Sequence, residues 1–369
     1  MSARRTHSAC LLFALALAAA AGSGTGTAQD TKADQNADQK DDGFRPLFNG
    51  KDLDGWVIVN THPDTFFVKD GRIVTTGNPM GFLRTDRQYE NFVLEFEWMH
   101  VEKEKPANSG LFVWGDPLPA VGTVYTRGIE VQVLINYPKV DWATNHGDIF
   151  SIWGARCVPD RPHPRGYERC LPSEERVKGG GEWNHYKVTA NDGAIKLAVN
   201  GKEVSGVSKC VPRKGYLALE SEGAECHFRN LRIKELPSTN PKPEEVAQEW
   251  AGHVSLFNAR DLKGWTTGKD AWKVTGGKLV AAGQEPLTSE PILPNGGELL
   301  LDWKVPAKAE GELVLTVGGM EVKATNDKPG TWKRLRLQVA AKPGGSSVVI
   351  RPTQGLEIMN VFAAPLPAK

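Results

Sequence analysis

The 369-residue chain has almost no charge excess, with 45 Lys and Arg against 44 Asp and Glu for a formal net charge of +1. A surface that grips a phosphate backbone carries clustered excess positive charge, so a nucleic-acid partner is disfavoured. Long apolar runs are missing too. The longest, Cys10 to Ala21, is about a dozen residues, short of the roughly 20 that cross a bilayer as a helix. The chain has no G-x-S-x-G elbow, no phosphate-binding P-loop and no dinucleotide fingerprint, which sets aside the α/β triad hydrolases and the nucleotide enzymes. No window carries a helical period of useful length; Glu244 to Ala251 could make one or two turns. Cysteine is scarce at 5. The four beyond the N-terminus (Cys157, Cys170, Cys210, Cys226) are too irregularly spaced for a zinc site.

Gly at 39, Pro at 24 and Trp at 11 describe a turn-rich globular chain, a composition that fits all-β extracellular proteins and, among them, sugar binders. Met1 to Ala28 reads as a secretory signal: Arg4 and Arg5 are the positive end, Cys10 to Ala21 the apolar stretch, and Gly26-Thr27-Ala28 the small residues before cleavage. The expectation is a secreted or periplasmic protein with no membrane span after cleavage and a mature charge of −1. In an oxidising compartment the four cysteines allow three pairings. The preferred one is Cys157 with Cys170, closing a Pro- and Arg-rich loop, which leaves Cys210 with Cys226.

Residues 29–43 are polar and read as a disordered tether, and residues 237–251 as a linker of the same character. Between and after them lie short alternating segments bounded by Gly, Asn, Asp or Pro: Phe92 to Trp98, Leu111 to Trp114, Ile129 to Ile135, Tyr186 to Ala190, Ile195 to Val199, Tyr216 to Glu220 and Cys226 to Ile233. These read as strands. An internal repeat organises them. LFNGKDLDGW at Leu47 recurs as LFNARDLKGW at Leu256; VKDGRIV at Val68 recurs as VTGGKLV at Val274. GIEV at Gly128 and GEW at Gly181 return as GMEV at Gly319 and GTW at Gly330. Two tandem β modules are therefore expected, 44–236 and a shortened 252–369. Glu130 and Trp183 are 53 positions apart, Glu321 and Trp332 only 11, so some forty residues are missing from the second copy. Function on such scaffolds lives in long loops and open faces, which points to the first copy.

The strand IEVQVLI puts Ile129, Val131, Val133 and Ile135 on one face and Glu130 and Gln132 on the other. By the same alternation His146, Asp148 and Phe150 share a face, with Trp153 and Arg156 at a rim. Glu220 falls on the polar face if Leu217 and Leu219 are core, and Glu222, beside a turn glycine, is expected in solvent. Trp114, Trp142 and Trp153 are candidates to stack on pyranose rings. Trp56 and Trp183, matched by Trp265 and Trp332, read as core. Glu130 has its own match in Glu321, which argues against a role unique to the first copy.

The ordered motifs FNGKDLDGW, NSGLFVW (Asn108 to Trp114), GIEVQVL, HGDIFSIWG (His146 to Gly154), GEWNHYKV, NGKEV and ESEGAECHFRNLRIKEL (Glu220 to Leu236) resemble the 3-keto-disaccharide (3-keto-glucoside) hydrolase family. The resemblance implies a concanavalin A-like β-sandwich (jelly roll) with a polar concave face and a carbohydrate as small-molecule substrate, with no cofactor and no metal. It carries onto Glu130, His146 and Glu220 as catalytic residues, with Gln132 and Asp148 toward substrate; at the rim, Arg156 is expected as a donor and Trp153 as a stacking wall. The loop from Cys157 to Val177 is longer and more basic than the family pattern. Two other readings stand beside it: a non-catalytic carbohydrate-binding protein, since the same sandwich serves lectins, and a metal-assisted hydrolase using Glu130, His146 and Asp148.

Overall fold

Four antiparallel sheets account for nearly all the regular structure in the computed structural model, which describes residues 42–138, 140–144, 146–307 and 311–366. The expected signal segment, residues 1–28, and nearly all of the tether lie outside the described residues. The chain is all-β, built as the expected sandwich. The only helical pieces among the described residues are two short 3₁₀ turns, Pro63–Thr65 and Pro243–Glu245, the second overlapping only the first two residues of the stretch expected to make one or two turns. No helix among them is long and apolar enough to cross a membrane.

Residues 45–235 form a nine-stranded and a seven-stranded sheet packed face to face. The seven-stranded sheet runs in the order Arg169–Cys170, His146–Ile152, Gly128–Ile135, Ala107–Gly115, Tyr216–Ser221, Gly81–Thr85, Trp56–Val59. Alternation does the sorting. Leu111, Val113, Ile129, Val131, Val133, Leu217 and Leu219 face the nine-stranded sheet, where Phe96, Trp98, Tyr186, Leu197 and Val199 meet them. Each large apolar side chain buried here contributes about 1.5–3 kcal/mol. Asn108, Gly110 and Phe112, with Glu130, Gln132 and Glu220, are left on the outer face.

Residues 254–365 form a six-stranded and a five-stranded sheet around a second core. The five-stranded order Met320–Thr325, Glu312–Val317, Val348–Arg351, Leu287–Ser289, Trp265–Thr266 follows the seven-stranded order without its first two strands. The LFN…GW landmark makes the same contacts in both places. Asn49 Oδ1 accepts from the Lys51 and Asp52 amides (2.8 and 3.1 Å), and Asn258 Oδ1 from those of Arg260 and Asp261 (2.9 and 3.0 Å). Trp56 Nε1 donates to the Leu47 carbonyl and Trp265 Nε1 to that of Leu256. These Trp are core, as read.

Trp183 and Trp332 are not. Both are half-buried at strand entrances, Trp183 beneath the Arg229 guanidinium at 3.9 Å. Trp114, expected to meet sugar, is fully buried, its indole donating to the Glu90 carbonyl. The expected disulfides are absent: Cys157, Cys170, Cys210 and Cys226 are all buried free thiols packed into the first core. Glu321 sits exposed on an edge strand beside Arg351, an environment unlike that of Glu130.

Candidate active site

Three carboxylates converge on the outer face of the seven-stranded sheet, and one glycine makes room for them. Glu130 stands on the strand beside Gly110, Glu220 on the strand at its other side, and Glu222 just past the end of that second strand. A Cβ on Gly110 would lie 2.8 Å from Glu220 Oε2 and 3.0 Å from Glu130 Oε1, so only hydrogen at this position lets both carboxyls occupy the site. Gly110→Ala is expected to cost about 1–3 kcal/mol through overpacking, measured by urea denaturation, and to push the two carboxyls apart.

The cavity above them has a volume of about 280 Å³ and is walled by Tyr125, Trp142, Phe150 and Trp153. Trp153 is 51% exposed and lies near-parallel to Tyr125, centroids 6.4 Å apart, which leaves an aromatic face open at the rim. The Tyr125 hydroxyl donates to Glu222 Oε1 at 2.9 Å, and Asn108 Nδ2 donates to Glu222 Oε2. Gln132 Nε2 donates to Asn108 Oδ1 at 2.6 Å. Arg169 supplies the positive charge. Its Nε donates to Asp148 Oδ2 at 2.6 Å, Nη2 reaches Gln132 Oε1 at 3.5 Å, and the guanidinium lies 3.8 Å over the Phe150 ring.

Burial, then the charge of Glu222, pushes the Glu130 carboxyl up to about 8, against the opposing pull of Arg169. Glu220 is pushed well above the usual carboxylate range by burial and by both neighbouring carboxylates, and its Oε2 has no hydrogen-bond partner. Glu222 is also raised by burial, but the bonds from Tyr125, Glu220 and Asn108 favour its ionised form. The three titrate as one coupled set. Hydrogen bonds thus favour negative charge on Glu222, while burial and its neighbours favour the protonated form of Glu220.

Of the residues singled out from sequence, Glu130, Gln132, Glu220, Trp142 and Trp153 line this cavity. Asp148 is fully buried behind Arg169 and also accepts from Thr144, so its place is under the arginine. His146 is elsewhere. A bulge interrupts the pairing between Val131 and Val133, Gly147 takes φ 72°, and His146 lands opposite core-facing Val133. It is fully buried, its Nε2 accepts from the Arg176 amide at 2.9 Å, and it lines a separate pocket with Tyr137, Pro138 and Pro172. Burial lowers its pKa to about 4, so it is neutral at pH 7. Arg156 belongs to the nine-stranded sheet, where it is exposed and paired with Glu168 at 2.6 Å.

Sequence reading missed Arg169, Tyr125, Asn108 and Trp142's neighbour Phe150 as a stacking partner for the arginine, and it placed Glu222 in solvent. Asn108 alternates with Gly110 and Phe112 in NSGLFVW, a signal that could have found it. Glu130, His146 and Asp148 do not gather at one point, and among the described residues no group of three His, Cys, Asp or Glu is arranged to hold a metal ion.

An outer sheet face with crowded carboxylates, aromatic walls and one arginine defines a small-molecule site on a β-sandwich. Residues 43–234 match the family described as the 3-keto-alpha-glucoside-1,2-lyase-like domain, and the chain belongs to that family. A 3-keto-disaccharide hydrolase of Bacteroides thetaiotaomicron is 22% identical over 245 residues, 53% of this chain and 79% of that protein. Among solved structures, a candidate glycosyl hydrolase of Parabacteroides distasonis aligns at 24% identity and TM-score 0.43, over 53% of this chain and 94% of its own. A carbohydrate-binding module of Bacillus subtilis aligns at 14% identity and TM-score 0.37, over 49% and 96%.

Proposed function

We propose that the protein is an exported enzyme that cleaves 3-keto-glucosides by elimination followed by hydration, and that it consists of two unequal copies of one β module with the chemistry in the first. The observation that carries the reading is the Glu130, Glu220, Glu222 cluster, three buried carboxyls crowded over Gly110, where burial raises Glu130 to about 8 and favours the protonated form of its neighbour Glu220.

A ketone at C3 acidifies the C2 proton. Glu130, ionised, takes that proton; the electron pair forms the C2–C3 enolate, and the Arg169 guanidinium, held in place by Asp148 and Gln132, offsets the charge on its C3 oxygen. The enolate collapses, the C1–O bond breaks, and Glu220 gives its proton to the departing oxygen. Water then adds across the C1–C2 double bond: Glu220 takes a proton from the water as its oxygen bonds to C1, and Glu130 returns its proton to C2, which completes a net hydrolysis and resets both carboxyls. Unlike ordinary glycosidases, this route needs no pair of carboxylates at fixed separation across the sugar. Trp153 supplies a stacking wall, and a neutral ligand suits a chain with almost no net charge.

Turnover of 3-keto-glucosides alongside their unoxidised parents tests this reading. The keto substrates are expected to be cleaved and the parents left intact. Glycan binding without cleavage of any keto-sugar would establish instead a carbohydrate-binding protein.

A further inference from the structure

The hairpin Asp116 to Arg127 carries Tyr125, and its base is tied within its own sandwich: the Asp116 amide donates to the Arg127 carbonyl, and the Arg127 side chain pairs with Asp116 at 2.8 Å. Its tip is held from outside. Asp302, fully buried in the six-stranded sheet, accepts the Gly122 amide at 3.0 Å, and Arg334, which grips Asp302 with two bonds, donates to the Pro119 carbonyl at 2.8 Å. Asn360 Nδ2 donates to Asp302 and to the Thr123 carbonyl, each at 2.8 Å. The strands carrying these residues are irregular at this point: pairing slips between Leu300 and Asp302, and Asn360 adopts φ 51°. A bulge of this kind re-aims side chains, and here the result is a polar clamp. Trp332 closes the seat, since a Cβ on Gly122 would fall 2.2 Å from its ring. Beside the clamp Leu300 and Phe362 pack on Phe82, Phe112 and Leu118, with Tyr125 against the same cluster.

We infer that the second sandwich is a working part of the carboxylate site: Asp302, with Arg334 and Asn360, is a positioning residue that fixes the hairpin so that Tyr125 meets Glu222 and faces Trp153. The shortened copy, which lacks counterparts of the cavity's outer strands, thus serves as the splint of the other copy's site. This rests on the carboxylate cavity being where the substrate reacts.

A double-mutant cycle on the full chain tests it, with Tyr125→Phe, Asp302→Ala and the pair, reading kcat/KM on a 3-keto-glucoside and unfolding by circular dichroism. If Asp302 acts through Tyr125, the pair is no worse than the worse single variant, and departs from the product of the singles by about fivefold or more. Effects that multiply in folded variants overturn the proposal. Where Asp302→Ala unfolds, Trp332→Ala, which removes only the ring under Gly122, takes its place in the cycle. The titration of Glu130, followed by carboxyl infrared bands identified with Glu130→Gln, reads the clamp without turnover. Loosening the hairpin admits water and weakens the charge held on Glu222, so the Glu130 midpoint falls in Asp302→Ala and in Tyr125→Phe. An unmoved midpoint in Asp302→Ala overturns the proposal even if no keto-sugar is cleaved, whereas a shifted midpoint in an inactive protein faults the reaction and leaves the clamp standing.

Discussion

Glu130→Gln is expected to lower kcat/KM on a 3-keto-glucoside by about 10²–10⁴-fold, the range that a positioned general base supplies. The amide keeps the shape of the carboxyl and its place beside Gly110 but cannot accept the C2 proton. KM should change little, because the aromatic walls and Arg169 remain. The wild-type pH profile carries a second mark of the same residue. Only the ionised form is a base, and its pKa lies at about 8, so kcat/KM should climb with pH and level off above that value. A Glu130→Gln variant retaining turnover within a few-fold of wild type would sink the assignment. So would a profile already flat from pH 5.

The second large effect is on stability. Glu130 has a raised pKa when folded and an ordinary one, near 4.5, when unfolded. Between about 4.5 and 8 the folded protein holds a proton that the unfolded chain has released, so stability falls as pH rises through this window. Below it the contribution is fully present; above about 8 it is lost, because the folded state must then hold a buried negative charge. Glu130→Gln removes that loss. The variant is expected to gain on the order of a few kcal/mol over wild type at pH 9 and little at pH 4.5, using 1.36 kcal/mol for each pKa unit. Melting curves from pH 4.5 to 9 check this: traces for the two proteins that run parallel would contradict it. Glu130 would then trade stability for reactivity, a common feature of active sites.

The gain and the kinetic loss share one origin in the crowding over Gly110, and the sequence carried half of that origin. Strict alternation in IEVQVLI and YLALES put Glu130, Gln132 and Glu220 on the outer face, because a strand has no other way to bury its Ile, Val and Leu. His146 escaped the same rule through a single extra residue. Gly147 signals that a bulge is affordable but not that one occurs, and the slip carried His146 to the core and left Asp148 on the cavity side beneath Arg169. Arg156 was expected at the rim, and Arg169 lay unremarked in the basic loop that follows it. Which of them returns to the seven-stranded sheet depends on the pairing of Arg169–Cys170 with Phe150 and Ile149, a long-range contact with no local signature. Tyr125 was invisible for the same reason, since its hairpin is bonded to residues 180, 215 and 237 positions away from their partners in it. Trp183 and Trp332 show the limit of using the repeat as a control: matched residues proved to be strand-entry residues, and Trp332 had been recruited to the hairpin seat.

The free thiols carry a consequence for how the protein is made and kept. With no disulfide among the described residues, their fold rests on its two apolar cores and needs no oxidant to complete it. Burial pushes the Cys157 thiol up to about 12 and raises Cys210 and Cys226 as well, leaving almost no thiolate for electrophiles or passing disulfides to attack. All four thiols lie in the packed core, so a thiol reagent is expected to label them only in molecules that have opened.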